Sequence, residues 1–249
     1  MDLIKRSSIF KQYKELSEIV RNELDSPGKG GNVSVKLDEF FIVKASGEDL
    51  KNIKHNMCLF ENDEYIQKVK FKKNNIKCSN KYLKPTMEIG FHKCIKSKYV
   101  LHYHPVYVLP FLCVENMVLS DMYCDVIQTS LPGQDLEIKI KEFLETNKKD
   151  YGILLLKNHG VIIYADDLEK VKLMHTHLRF KYFKYLEIDN NYTPDDVVDK
   201  ESFQLLLFRN AIQNIASKND LILQELSSDM VKSLLQDENE KYRQQKMKG

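Results

Sequence analysis

An apolar run, Tyr99-Val100-Leu101, leads directly into His102-Tyr103-His104-Pro105, and no other feature constrains the chain as much. Successive strand side chains point to opposite faces, so His102 and His104 share one face while Tyr103 points away. Two imidazoles set this way form a chelate for a metal ion. An isolated pair also reads as two hydrogen-bonded histidines on a sheet. Two further residues outweigh that reading: Glu88, in Pro85-Thr86-Met87-Glu88, and His159, in Asn158-His159-Gly160 behind a second apolar strand. Three imidazoles and a carboxylate make the ligand set of a catalytic zinc-type centre, with Glu88 either a fourth ligand or an acid and base.

Geometry sorts the remaining histidines. His175 and His177 repeat the H-x-H pattern on an expected helix, where two residues span about 200° and cannot share one ion. They read as surface or packing residues. His92 follows Glu88 by one helical turn, and either orients it or packs. His55 stands in a polar loop without a sequence partner.

The chain has 249 residues, enough for one large domain or a domain with an appendage, and for a substantial core. Its 38 basic and 36 acidic residues leave a formal charge of +2, with no long block of either sign, so composition implies no nucleic-acid partner. Five cysteines, Cys58, Cys78, Cys94, Cys113 and Cys124, are an odd number without a C-x-x-C pair, which fits a reducing cytoplasm. No apolar stretch reaches membrane-spanning length, and the start lacks the apolar core of a signal peptide. The expectation is a soluble, cytoplasmic protein with no membrane partner.

Apolar spacing predicts an amphipathic helix over about 8–25, stopped by Ser26-Pro27-Gly28. Hairpins are expected from 32–36 with 40–44 and from 57–60 with 65–71, then a polar loop over 72–84. Thr86 reads as the N-cap of a helix to about Ile95, with Glu88 in its first turn. The histidine strand, about 99–103, enters a helix through Pro105. A strand over 124–128, a helix over 135–145, a buried strand over 152–156, a strand over 161–164 and a helix from Asp167 to about Glu187 follow. After Asp189-Asn190-Asn191 two more helices are expected, near 195–217 and 220–245. Two small-residue turns, Gly28-Lys29-Gly30-Gly31-Asn32-Val33-Ser34 and Ala45-Ser46-Gly47, offer amides and hydroxyls to an anion, with Lys29 and Lys44 close by. They also read as plain hairpin turns. The P-loop pattern is absent.

Taken in order, Gly31-Asn32-Val33-Ser34, Ser46-Gly47, Pro85-Thr86-Met87-Glu88, His102-Tyr103-His104-Pro105, Pro132-Gly133 and Asn158-His159-Gly160 resemble the class II aldolase/adducin family over about 8–187. The resemblance implies a three-layer α/β/α fold around a central, mostly antiparallel sheet over 1–187, with 188–249 as a helical C-terminal extension. It implies one Zn2+ per subunit on His102, His104 and His159, with Glu88 a ligand at rest and a proton shuttle in turnover. Gly31, Asn32, Ser46, Gly47 and Thr86 would bind the phosphate or substrate. Tyr123 matches a tyrosine that family aldolases contribute from a neighbouring subunit, or is a core tyrosine. Met87 departs from the pattern, because sugar-phosphate members often carry a second hydroxyl residue there.

The function implied is zinc-dependent retro-aldol cleavage of a ketose phosphate, in a homotetramer with sites between subunits. A metal-dependent dehydratase of the methylthioribulose-phosphate type is the alternative. Epimerases of the family generally carry aspartate in place of Glu88. A non-catalytic, adducin-like interaction domain would lack the zinc ligands that this chain retains.

Overall fold

The computed structural model describes residues 3–52, 56–62, 64–72, 75–79, 82–114, 121–182, 212–224 and 226–247. The chain begins with helix α1 (Leu3–Ile19), followed by strands β1 (Asn32–Leu37), β2 (Phe40–Lys44), β3 (Asn56–Glu61), β4 (Glu64–Lys72) and β5 (Asn75–Ser79). Helix α2 (Ile89–Cys94), strand β6 (Tyr99–Tyr103), the short α3 (Leu109–Leu112), β7 (Cys124–Ile127) and α4 (Gln134–Thr146) come next. Then follow β8 (Gly152–Leu156), β9 (Gly160–Ala165), α5 (Leu168–Tyr182), α6 (212–218), α7 (Ser228–Gln236) and α8 (Glu238–Met247).

The nine described strands form one sheet in the order β5-β4-β3-β2-β1-β6-β9-β8-β7. Every pairing is antiparallel except β7 with β8. Helices cover both faces. On one side Tyr13 and Leu16 of α1 and Met174 and Leu178 of α5 pack on Val35, Leu101, Leu155 and Ile163. On the other, Phe91 of α2 and Leu136 and Ile140 of α4 pack on Val100, Leu154, Ile162 and Tyr164. β8 and β9 are therefore buried on both faces, which is why they read as unbroken apolar runs rather than alternating ones. Truncating Leu155 to Ala there would cost about 2–5 kcal/mol.

The three-layer, mostly antiparallel expectation holds, and several element bounds are corrected. α1 ends at Ile19 instead of near residue 25. Asn22 Oδ1 accepts the Leu24 and Asp25 amides, and this side-chain competition turns the chain out of the helix. The expected loop over 72–84 contains β5, an edge strand on β4; lysines at a sheet edge blunt further pairing and disguise such a strand as loop. α2 starts at Ile89 with Glu88 as its cap residue, while Thr86 makes the turn before it. Pro105 likewise begins a turn, its carbonyl accepting the Val108 and Leu109 amides, and α3 starts only at Leu109. Among the described residues α5 runs to Tyr182; the boundary expected at 187/188 and most of the helix expected over 195–217 lie outside them. The helix expected over 220–245 is two, because Asp237 is extended and caps α8 through Oδ1 to the amides of Asn239 and Glu240. No helix among the described residues is long and apolar enough to cross a membrane.

Candidate metal centre

Sheet register assembles the site. β1 pairs with β6 so that Asn32 lies opposite His102, and β6 pairs with β9 so that His102 lies opposite Ile162. The β8–β9 turn then delivers His159 beside the end of β6. Asn158 takes the left-handed conformation there (φ 55°), which asparagine tolerates better than most residues, and His159 N donates to Leu156 O at 3.1 Å.

Two glycines let the imidazoles come together. A Cβ at Gly160 would stand 2.6 Å from His104 Cδ2 and 2.7 Å from Tyr103 O. A Cβ at Gly31 would stand 2.8 Å from His102 O, and Gly31 also has a positive φ of 73°. Close approach to β6 therefore accounts for Gly31, expected above as an anion-binding residue.

Nitrogen atoms of His102, His104 and His159 all lie within 4.8 Å of one another. His102 is fully buried, and its Nδ1 lies 3.0 Å from Val161 O. A carbonyl only accepts, so Nδ1 carries the proton and Nε2 presents its lone pair, the usual arrangement of a metal-binding histidine. That lone pair faces His104 Nε2 at 3.0 Å. Tetrahedral zinc with bonds of about 2.0–2.1 Å separates its ligands by about 3.4 Å, close to this spacing.

Glu88 completes the cluster. Its Oε2 accepts Asn32 Nδ2 at 2.8 Å and lies 3.4 Å from His102 Nε2; its Oε1 lies 2.9 Å from His159 Nε2. Despite that proximity, Oε1 is buried without a hydrogen bond of acceptable geometry. An orphaned buried carboxylate oxygen facing bare imidazole nitrogens fits a cation between them, and the donor set suits a divalent transition metal. Burial pushes the Glu88 carboxyl up, but His102 and His159, with His104, overcome it and hold it well below the usual carboxylate range. Burial also takes the His102 imidazole down to about 4, against the pull of Glu88. A neutral imidazole and an ionised carboxylate are the forms that bind metal.

Behind Glu88 runs a buried relay. His92 Nε2 hydrogen-bonds Asn32 Oδ1, and its Nδ1 lies 2.7 Å from Ser34 Oγ. Because Oδ1 only accepts, Nε2 is the donor and Ser34 donates to Nδ1. Burial, then Lys36, keeps His92 well below the usual imidazole range and therefore neutral. His92 thus orients Glu88 through Asn32, one of its two expected roles. Asn32, expected at the phosphate, has its amide committed to Glu88 and His92. Ser34, expected to offer its hydroxyl to an anion, donates it instead to His92, and its i,i+2 spacing from Asn32 on one strand face was the available signal for that role.

A cleft of about 230 Å³ opens from the cluster, lined by the polar Lys29, Ser46 and Thr86 with Gly47, and by the apolar Met87, Leu131 and Pro132. Lys44 also lines it, its ammonium donating to the carbonyls of Lys29 and Glu48 at 3.2 and 2.6 Å. Leu226, Met230, Leu234 and Glu240 of the C-terminal segment complete the wall, where the sequence left open whether that segment covers the site, builds an oligomer surface or does neither.

Other expected residues go elsewhere. Tyr123 meets His177 of α5 edge-on, with ring centroids 5.4 Å apart, and packs on the core beneath α1 and α5. It is not brought to the histidine cluster within one chain. His175 is buried against Asp25 at 3.2 Å, and Asp25 also holds Arg179 and Tyr107. His177 joins Asp121 and Cys124 in a second group of potential ligands, but Lys181 donates to the same Asp121 oxygen at 2.8 Å and neutralises it. His55 and Cys78's side chain lie outside what is described.

Comparison with known proteins gives the family and the fold. The Class II Aldolase and Adducin N-terminal domain matches residues 16–181. Methylthioribulose-1-phosphate dehydratase of Geobacillus sp. (strain WCH70) is 27% identical over 201 residues, covering 67% of this chain and 85% of that protein. YgbL of Escherichia coli superposes with a TM-score of 0.52 at 17% identity, over 80% of this chain and 99% of that one. The N-terminal class II aldolase domain of a Thermoplasma acidophilum protein gives 0.51 at 18% identity, over 70% and 92%. With the family domain spanning most of the sheet and every candidate ligand, the chain belongs to the class II aldolase and adducin family.

Proposed function

We propose that the protein is a metal-dependent lyase that cleaves a ketose phosphate into dihydroxyacetone phosphate and an aldehyde, with zinc as its ion. The supporting observation is the buried Glu88 carboxylate, held ionised against its burial by the converging imidazoles of His102, His159 and His104 and fixed in place by Asn32.

His102, His104 and His159 would hold one divalent ion, which would supply Lewis acidity for the charge that develops on the substrate. The residues of the chain do the rest. Cleavage removes the proton of the hydroxyl that becomes the aldehyde oxygen, breaks the adjacent carbon–carbon bond and returns a proton to the ketone-side carbon. Glu88 moves the carbon proton, and its fixed position limits which carbon is served. Asn32, held in turn by His92 and Ser34, keeps Glu88 from swinging into the cleft. Ser46, Gly47 and Thr86, with Lys29 at the same end, hold the substrate's phosphate. Tyr123 acts on the aldehyde-side oxygen of a neighbouring subunit's site, since it stands against α5 in its own chain. That role requires a homo-oligomer, with a tetramer the expected form, in the cytoplasm.

A second reading is elimination of water from a similar substrate, favoured by the dehydratase relative. Both use the same ion and Glu88, and they part only in which bond breaks. Incubating the zinc-loaded protein with a panel of ketose phosphates, including methylthioribulose phosphate, separates them. Dihydroxyacetone phosphate plus aldehyde supports cleavage; a dehydrated diketone supports elimination. No turnover of any ketose phosphate by protein carrying one metal per chain would refute both.

A further inference from the structure

The cleft is walled by the chain's own C-terminal segment. Leu226, Met230 and Leu234 are spaced by four, so they form one stripe along α7 and its approach, and all three line the cleft with Met87 and Leu131. α8 adds Glu240, a carboxylate only 4% exposed. Its setting is fixed by Asp237, which caps the helix at the Glu240 amide at 2.9 Å.

α8 docks on the anion-holding end. The Lys84 ammonium lies 5.2 Å above the Tyr242 ring, and Lys84 O accepts the Ser46 amide at 3.0 Å. Two residues on, Thr86 N donates to Lys44 O at 3.1 Å. Glu240 therefore shares the cleft with Lys29, Lys44, Ser46 and Thr86, whose ammonium and hydroxyl groups are the donors that an anion needs.

We propose that α7 and α8 form a strap whose Glu240 carboxylate acts as an internal anion in this end of the cleft, and that the anionic group of the substrate displaces it. The proposal rests on reading this end as the anion site. A buried carboxylate and a phosphate in one small cleft repel, so their occupancies are mutually exclusive. The strap is built to release. No residue of α7 is fully buried, whereas its root stays tied to α3 by the Val114–Leu223 bridge and by Gln224 N to Cys113 O at 2.5 Å.

Titration of inorganic phosphate into the full-length, zinc-loaded protein tests this, using Glu240→Gln and Ser46→Ala beside the wild type. Glu240→Gln keeps shape and removes charge, and should tighten phosphate binding about tenfold or more. Ser46→Ala should weaken it. Backbone amide exchange in α8 should accelerate when wild type is saturated with phosphate, a response that a static carboxylate would not produce. Unchanged or weaker phosphate binding by Glu240→Gln, or unchanged exchange in α8, overturns the strap while a weakened Ser46→Ala leaves the anion site standing. Absence of phosphate binding in all three proteins overturns both. Zinc stoichiometry in the same samples reports independently on the metal centre.

Discussion

Gly160→Ala tests the metal centre with the smallest available change. Gly160 does not occupy the left-handed region, so alanine adds no backbone strain, only a methyl group. That methyl would sit 2.6 Å from His104 Cδ2, 2.7 Å from the Tyr103 carbonyl oxygen and 3.3 Å from His102 Cε1. The carbonyl belongs to a paired central strand and cannot turn aside, so the β8–β9 turn must back away and carry His159 with it. Overpacking of this kind costs about 1–3 kcal/mol. In a chain of this size that lowers the melting temperature by about 2–12 °C. Displacing one imidazole from the other two should also weaken zinc binding about 10–100-fold, the size of effect seen when groups supporting metal ligands are lost. Gly28→Ala is the control. Gly28 has φ 60° with nothing within 4 Å of a new Cβ, so it should lose about 1–2 kcal/mol through strain alone and keep its zinc affinity. Melting curves with and without zinc, and competition titrations against a zinc indicator, read both quantities. Gly160→Ala binding zinc as tightly as wild type would refute the placement of these three imidazoles around one ion.

His102→Ala should take bound zinc from one per chain to a small fraction by elemental analysis, with circular dichroism showing the fold retained. Asn32→Ala leaves a buried carboxylate oxygen and a buried imidazole N–H without partners; it should cost about 1–3 kcal/mol in urea unfolding and lower kcat more than it raises KM. Asp121 gives a pH signature away from the metal. Burial pushes its carboxyl up, but Lys181, the Tyr123 amide and His177 outweigh this and hold it well below the usual carboxylate range. A depressed folded-state value means stability that is present above the unfolded value and lost as pH falls through the folded one. Asp121→Asn should therefore flatten the acid limb of stability below about pH 5, measured by urea midpoints, and an unchanged limb would sink the assignment. Tyr123→Phe should lower kcat without changing zinc content, and mixing it with inactive Glu88→Ala subunits should restore activity only if sites are shared between chains.

Strand alternation in Tyr99–His104 determines by itself that two imidazoles share a face, because the period of a strand is two whatever surrounds it. The same letters at His175 and His177 determine that no chelate forms on a helix, and the structure sends those residues to two different aspartates. Continuous apolar runs likewise announced the buried strands β8 and β9. What local pattern could not carry is anything set by register or docking between distant segments. Asn32 reaches Glu88 across 56 residues of sequence, and His92 reaches Ser34 across 58; only sheet pairing and the seat of α2 bring them together. Edge strand β5 was hidden within a polar, lysine-rich stretch, since an edge strand pairs through its backbone without an apolar pattern. The C-terminal helices are the clearest case. Helices were expected there from the sequence, but which surface they cover was decided by tertiary packing, which set Met230, Leu234 and Glu240 over the cleft. The ligands are written in the chain because chelation is local, and the walls of the site are not, because they come from elements that meet only in the folded protein.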